Sequence, residues 1–225
     1  MTDLLPLLLL GGLLGLDVVC FPQMMISRPL VAATIAGAFV GHAGNGILAG
    51  AALELIALAT LPFGASRYPE WGSAAVVAGA IAGVLHTESG GVLTVAVLSG
   101  LATAWLGGWT MVQLRRWNAW LARRRRSALD AGARGAVIGL QLAGLTGDLA
   151  RGAALTALGY GLLFPLSRAA VGSWRMNETV SRGFIVTASC AVAGAAAWTI
   201  FHSARGSRWY FAIGLLVGLI LLAGR

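Results

Sequence analysis

Long apolar runs, broken at uneven intervals by short polar clusters, organise the whole chain. Leu4 to Phe21 is the first run, closed by Pro22, and a polar break from Gln23 to Pro29 carries Arg28. Val31 to Val40 is apolar but short. Gly41-His42-Ala43-Gly44-Asn45-Gly46 interrupts it before a longer run from Ile47 to Phe63. A loop from Gly64 to Gly72 holds Arg67, Pro69 and Glu70; Ser73 to Leu85 is then short again and ends at His86-Thr87-Glu88. Gly91 to Leu114 is long enough to cross hydrocarbon, since about 20 helical residues at about 1.5 Å each cover a bilayer core. Farther on, Gly135 to Leu145 and Leu149 to Leu166 flank a polar turn expected at Asp148. A loop is expected from Arg168 to Arg182, and Gly183 to Phe201 and Tyr210 to Leu222 complete the pattern.

A closed barrel would show alternating segments of about ten residues, and these runs do not alternate. They predict an all-α, polytopic helical bundle with about six to nine segments. The reading is of a single transmembrane domain over residues 1–225. Several runs are too short to span, which predicts broken or re-entrant helices around a central site. In particular, Val31 to Val40 is not expected to cross, with the Gly41 to Gly46 turn at membrane depth.

Composition strengthens this picture. Only 11% of residues are charged and 58% are hydrophobic, whereas a water-facing domain carries roughly a quarter charged residues. The 32 glycines suit helices that approach closely in lipid. Net charge is +8 and every basic residue is Arg. On a soluble protein that balance would suggest nucleic acid; here the arginines concentrate in loops, which argues for cytoplasmic loops and anionic lipid instead, with no nucleic-acid partner. The segment from about Arg115 to Arg134, with Arg123 to Arg126 unbroken, reads as a basic cytoplasmic loop. Within it Leu114, Trp117, Trp120 and Leu121 share one helical stripe, so a helix in the headgroup layer competes with a solvated loop. The start of the chain has Asp3 in place of a basic leader and no small-residue cleavage site, so it reads as the first membrane helix.

Candidate chemistry is sparse. Cys20 and Cys190, each in an apolar run without CxxC spacing or a His cluster, indicate no metal, and nothing calls for a cofactor. Neither a phosphate-binding Gly loop nor a nucleophile elbow is present, so a catalytic centre is not expected. Glu54 stands alone in Ala51-Ala52-Leu53-Glu54-Leu55-Ile56-Ala57-Leu58. A carboxylate at that depth costs about 3 kcal/mol, which makes it a functional candidate by default. It can accept from neighbouring sugar hydroxyls, or pair with an Arg or a helix N-terminus. Arg28 can snorkel to an interface or pair with Glu54. Asp148 and Arg151, three apart, fit a local ion pair. His42 and His86 lie at segment ends, where an interfacial role is the commoner one and a proton relay the rarer.

The stretch from Ile26 to Gly83 carries a recognisable series: Arg28-Pro29-Leu30, Val40-Gly41-His42, Gly46-Ile47-Leu48-Ala49-Gly50, Leu53-Glu54-Leu55-Ile56-Ala57-Leu58, Gly64-Ala65 and Pro69-Glu70. In order and spacing it resembles the IIC permease subunit of the mannose-type phosphoenolpyruvate:sugar phosphotransferase system. His42 stands where that family usually has Asp, and Pro62 where a polar residue is common. The resemblance implies an oligomeric membrane complex with a IID-like subunit, soluble IIA and IIB phosphoryl carriers, and a hexose or amino sugar as cargo. It implies a bacterial inner membrane location and a transport subunit that is not itself an enzyme. It maps the family's glutamate onto Glu54 and its polar segment near Gln23, and makes Asn45 and Glu70 further candidates for sugar binding. A scaffold or regulatory relative without transport, or an ion-coupled transporter protonated at Glu54, are the alternatives.

Overall fold

The computed structural model describes residues 4–17, 20–60, 67–86 and 91–223. Pro62, Gly64, Ala65, Thr87 and Glu88 lie outside them. Among the described residues the chain is helical throughout, in the order α1 (Leu4–Asp17), α2 (Pro29–Phe39), α3 (Ala43–Ala57), α4 (Trp71–Val84), α5 (Val92–Arg124), α6 (Arg126–Asp130), α7 (Arg134–Gly172), α8 (Glu178–Phe201) and α9 (Ser207–Ala223). Helices α5, α7 and α8 are long and apolar enough to cross a membrane. The chain is an all-α, multi-pass membrane protein.

The short runs are short helices. Eleven residues in α2 extend about 16 Å, roughly half a hydrocarbon core. Pro29 starts α2 at a position where its missing N–H costs nothing. Gly41, at φ +85°, ends it. There Gly41 N–H reaches the Ala38 carbonyl at 3.0 Å and His42 N–H the Gly37 carbonyl at 2.8 Å, the paired bonds of a Schellman stop. The chain reverses at once into α3, so α2 and α3 form a hairpin rather than one straight helix.

Helix α4 is the centre of the packing, buried from Gly72 to Gly83 and touching α1, α2, α3, α5 and α7. Close approach makes this possible. A Cβ on Gly79 would stand 2.2 Å from the Ala33 carbonyl oxygen of α2, and one on Gly46 of α3 would stand 2.3 Å from the same atom. Ala33 is thus gripped from two sides by helices whose backbones nearly touch.

Two expectations about the second half are corrected. Asp148 does not turn the chain: α7 runs unbroken through it to Gly172, taking Arg168 out of its expected loop as well. The carboxylate is buried; Arg151 neutralises it, with Nε at 2.8 Å, and a Cys20 thiol donates a further hydrogen bond to it at 3.1 Å. A polar residue matched this way interrupts nothing. The basic segment is not a loop either. It continues α5 to Arg124 and then forms the one-turn α6, while Gly132, at φ +69°, turns the chain back into α7.

Candidate functional site

Four helix ends converge at one level of the short-helix cluster: the C-termini of α1 and α3 and the N-termini of α2 and α4. Each N-terminus leaves backbone N–H groups without helical partners, and a carboxylate meets each. Glu70 caps α4, accepting from Ser73 N–H at 3.1 Å. Glu54 reaches across from α3 to α2, where its Oε2 accepts from Leu30 N–H at 3.2 Å and its Oε1 accepts from the Arg28 guanidinium. Glu54 therefore ties the open end of the hairpin, and both the arginine and the helix N-terminus foreseen as its partners are used.

Asp17, a residue the sequence reading passed over, closes the third corner. Its side chain is 2% exposed and accepts from Met24 N–H at 2.7 Å and Ser27 N–H at 3.0 Å. These bonds hold the linker between α1 and α2 in a conformation with Gln23 at φ 59° and Met25 at φ 61°. Non-glycine residues rarely adopt that region, and it persists only where surroundings fix it. Ordinary hydropathy reading absorbs Asp17 into the end of an apolar run; its isolation there was the available signal.

Between these ends lies a cavity of about 200 Å³. Its polar lining comes from Asp17, Gln23, Ser27, Arg28, Thr60 and Tyr68, and Trp71 supplies an aromatic wall. The Trp71 indole donates to the Thr60 hydroxyl at 3.3 Å. Tyr68 is 6% exposed and its hydroxyl accepts from Arg115 at 2.9 Å, which anchors the α4 approach to α5. The backbone of the same approach is fixed where Glu70 N–H donates to the Ala104 carbonyl at 2.9 Å. Such a cavity is smaller than the roughly 300–1,000 Å³ of drug-sized sites; it suits a small solute with several hydroxyls.

The predicted residues do not all meet at the cavity. Gln23 and Arg28 line the cavity; Glu54 and Glu70 stand one layer behind it, each serving a helix N-terminus. Glu70 is fully buried, and its Oε2 has no hydrogen-bond partner among the described residues. Asn45 is elsewhere. It sits near the hairpin turn, about 13 Å along α3 from Glu54, and donates to the Ala82 carbonyl at 3.3 Å. His42 and His86 stack at that same far end, ring centroids 3.3 Å apart. Asp148 and Arg151 form the expected ion pair, 2.7 Å apart at closest, between α7 and α1. Ser27, Thr60, Tyr68 and Trp71 were missed, because isolated hydroxyls and aromatics carry no spacing signal.

Comparison with known proteins agrees with this architecture. A solved structure described as a membrane protein superposes with a TM-score of 0.73 at 17% identity, covering 98% of this chain and 93% of that one. The mannose transporter ManYZ, solved by electron cryomicroscopy in complex with microcin E492, matches with a TM-score of 0.60 at 18% identity, covering 96% and 85%. At such identities the likeness is one of fold. No curated protein is a significant match by sequence. The family described as the PTS system sorbose-specific IIC component matches residues 2–159, from α1 into α7 and well beyond the motif series of Ile26 to Gly83. The chain therefore belongs to the sorbose-type IIC permease components of the phosphotransferase system, transport subunits of the mannose family.

Proposed function

We propose that this permease component binds a hexose or amino sugar in the cavity beside Arg28 and passes it across a bacterial inner membrane. The observation that carries the reading is the convergence of four short-helix ends on a cavity lined by a carboxylate, an amide, hydroxyls, a guanidinium and an indole. Sugar hydroxyls both donate and accept, so they need mixed partners. Asp17 accepts, Arg28 donates, and Gln23, Ser27, Thr60 and Tyr68 can do either. Trp71 offers an apolar face to the carbon side of the ring. Glu54 acts on the sugar through Arg28, by fixing the guanidinium that lines the cavity, and Glu70 acts through α4.

The broken-helix arrangement supports transport. Short, broken helices that end at a central site are a recurrent feature of carriers, and α2 to α4 supply them here. The fold shared with the solved mannose transporter ManYZ supports a IID-like partner beside this subunit, with soluble IIA and IIB carriers delivering the phosphoryl group on the cytoplasmic side.

The test is uptake by membrane vesicles containing this chain together with IID, IIA and IIB subunits, supplied with labelled mannose, glucosamine or sorbose. Accumulation of a sugar phosphate that requires phosphoenolpyruvate is expected. Uptake that follows a proton gradient and ignores phosphoenolpyruvate would overturn the reading in favour of an ion-coupled carrier.

A further inference from the structure

The basic end of α5 and the start of α7 lie side by side outside the packed bundle. The last buried residue of α5 is Met111, and apart from Ala136 nothing in α7 before Asp148 is buried. In this arm Trp117 packs against Gly147, Asn118 faces Gly144, and Arg125 reaches across to Gly139. Residues 118, 121 and 122 thus share the α5 face that meets α7, as helical spacing requires, and Arg125 caps the helix on the same side. Between the helices runs a cleft of about 330 Å³, lined by Leu121, Ala122, Leu140 and Leu145 with Asn118 and Gln141 among them. Arg125 stands at its outer end.

Charge and apolar surface coincide here. Residues 115–134 hold seven arginines and one acid, Asp130, and Asp130 pairs with Arg126 at 3.6 Å. Among the described residues no carboxylate pairs with Arg123, Arg124 or Arg125. On the neighbouring helix at the same level Val137, Ile138 and Leu142 are 51%, 44% and 56% exposed. Water would disfavour those side chains, and hydrocarbon alone would disfavour the arginines. The headgroup layer of an anionic leaflet satisfies both, and Arg124 stacked 4.1 Å over the Trp120 ring is suited to that boundary.

We propose that the cleft between α5 and α7 is a binding site for an anionic phospholipid. Its acyl chain lies along Leu121, Ala122, Leu140 and Leu145. Its phosphate meets Arg125, and Gln141, two residues from Gly139, takes an ester or glycerol oxygen. The site is separate from the sugar cavity, so it stands whether or not a sugar binds there.

The experiment is native mass spectrometry of the delipidated full-length protein, titrated with dioleoylphosphatidylglycerol or dioleoylphosphatidylcholine. One arginine near an anionic headgroup is worth about fivefold in affinity. Phosphatidylglycerol should therefore bind about fivefold or more tighter than phosphatidylcholine. Arg125→Gln should remove about that factor, and Arg205→Gln, on the connection after α8, should not. Leu121→Trp fills the cleft without changing charge and should weaken both lipids; Gly144→Leu does the same from α7 should the first variant fail to fold. Equal affinity for the two lipids overturns the proposal, as does equal loss for Arg125→Gln and Arg205→Gln. Unchanged adducts in a folded cleft-filling variant would show diffuse surface attraction and also overturn it.

Discussion

Neutralising both partners of the hairpin clasp should cost less than the two single changes added together. Arg28 and Glu54 are 31% and 22% exposed, neither sealed in the core nor freely solvated. Exposed ion pairs contribute about 0.2–1 kcal/mol, and hydrogen bonds to charged groups about 1.5–3 kcal/mol. Partial burial places the coupling between them, at about 1–2 kcal/mol. Glu54→Gln keeps an oxygen for Leu30 N–H but loses the charge that attracts Arg28 and complements the α2 N-terminus, itself worth about 0.3–1 kcal/mol. Arg28→Gln leaves the Glu54 carboxylate beside an apolar hairpin with one backbone donor. The double variant removes both charges and leaves neither stranded. Thermal unfolding of wild type, both single variants and the double variant in one detergent gives the cycle. At about 2–4 °C per kcal/mol for a chain of this size, the coupling should appear as a few degrees. Additivity within about 0.3–0.5 kcal/mol, the behaviour of independent sites, would refute the clasp.

Other consequences are equally specific. Gly79→Ala sets a methyl group 2.2 Å from the Ala33 carbonyl, so overpacking should destabilise by about 1–3 kcal/mol or more; Gly44→Ala, with nothing within 4 Å, should be neutral or gain up to about 1 kcal/mol, both read by thermal unfolding. Asp17→Asn replaces an acceptor of two backbone donors and should cost about 2 kcal/mol, with faster proteolysis or amide exchange at Gln23 to Ser27. In a background of Cys20→Ser and Cys190→Ser, Ser127→Cys in the exposed turn of α6 should resist an impermeant maleimide in intact cells and label after lysis; labelling from outside would invert the topology.

The membrane class and the motif series were legible because both are local: runs of apolar residues, and residues at fixed spacing such as Leu53-Glu54. The α2–α3 reversal was legible in Gly41 for the same reason, since one positive-φ residue decides it. What escaped was set by partners remote in sequence. Asp148 looks like a break until Arg151 neutralises it on α7 and the Cys20 thiol donates to it. Arg115 to Arg124 looks like a loop until α7 gives it a helix to pack on. Asn45 and Glu54 both read as sugar contacts, and only the continuity of α3 shows that they stand about 13 Å apart, at opposite ends of one helix. Asp17 acquires its role from Met24 and Ser27, whose backbone donors no side-chain pattern announces.

The central claim, that the sugar cavity lies among the four helix ends, is tested most directly by equilibrium binding of labelled sugar to the purified complex. Gln23→Ala and Thr60→Val each remove one polar partner from the cavity wall, worth about 1 kcal/mol and thus about fivefold in affinity. Trp71→Ala removes the aromatic wall and should weaken binding at least as much. Asn45→Ala, at the far end of α3, should bind as wild type does. Binding lost in Asn45→Ala and unchanged in the three cavity variants would contradict the account and move the site to the hairpin turn.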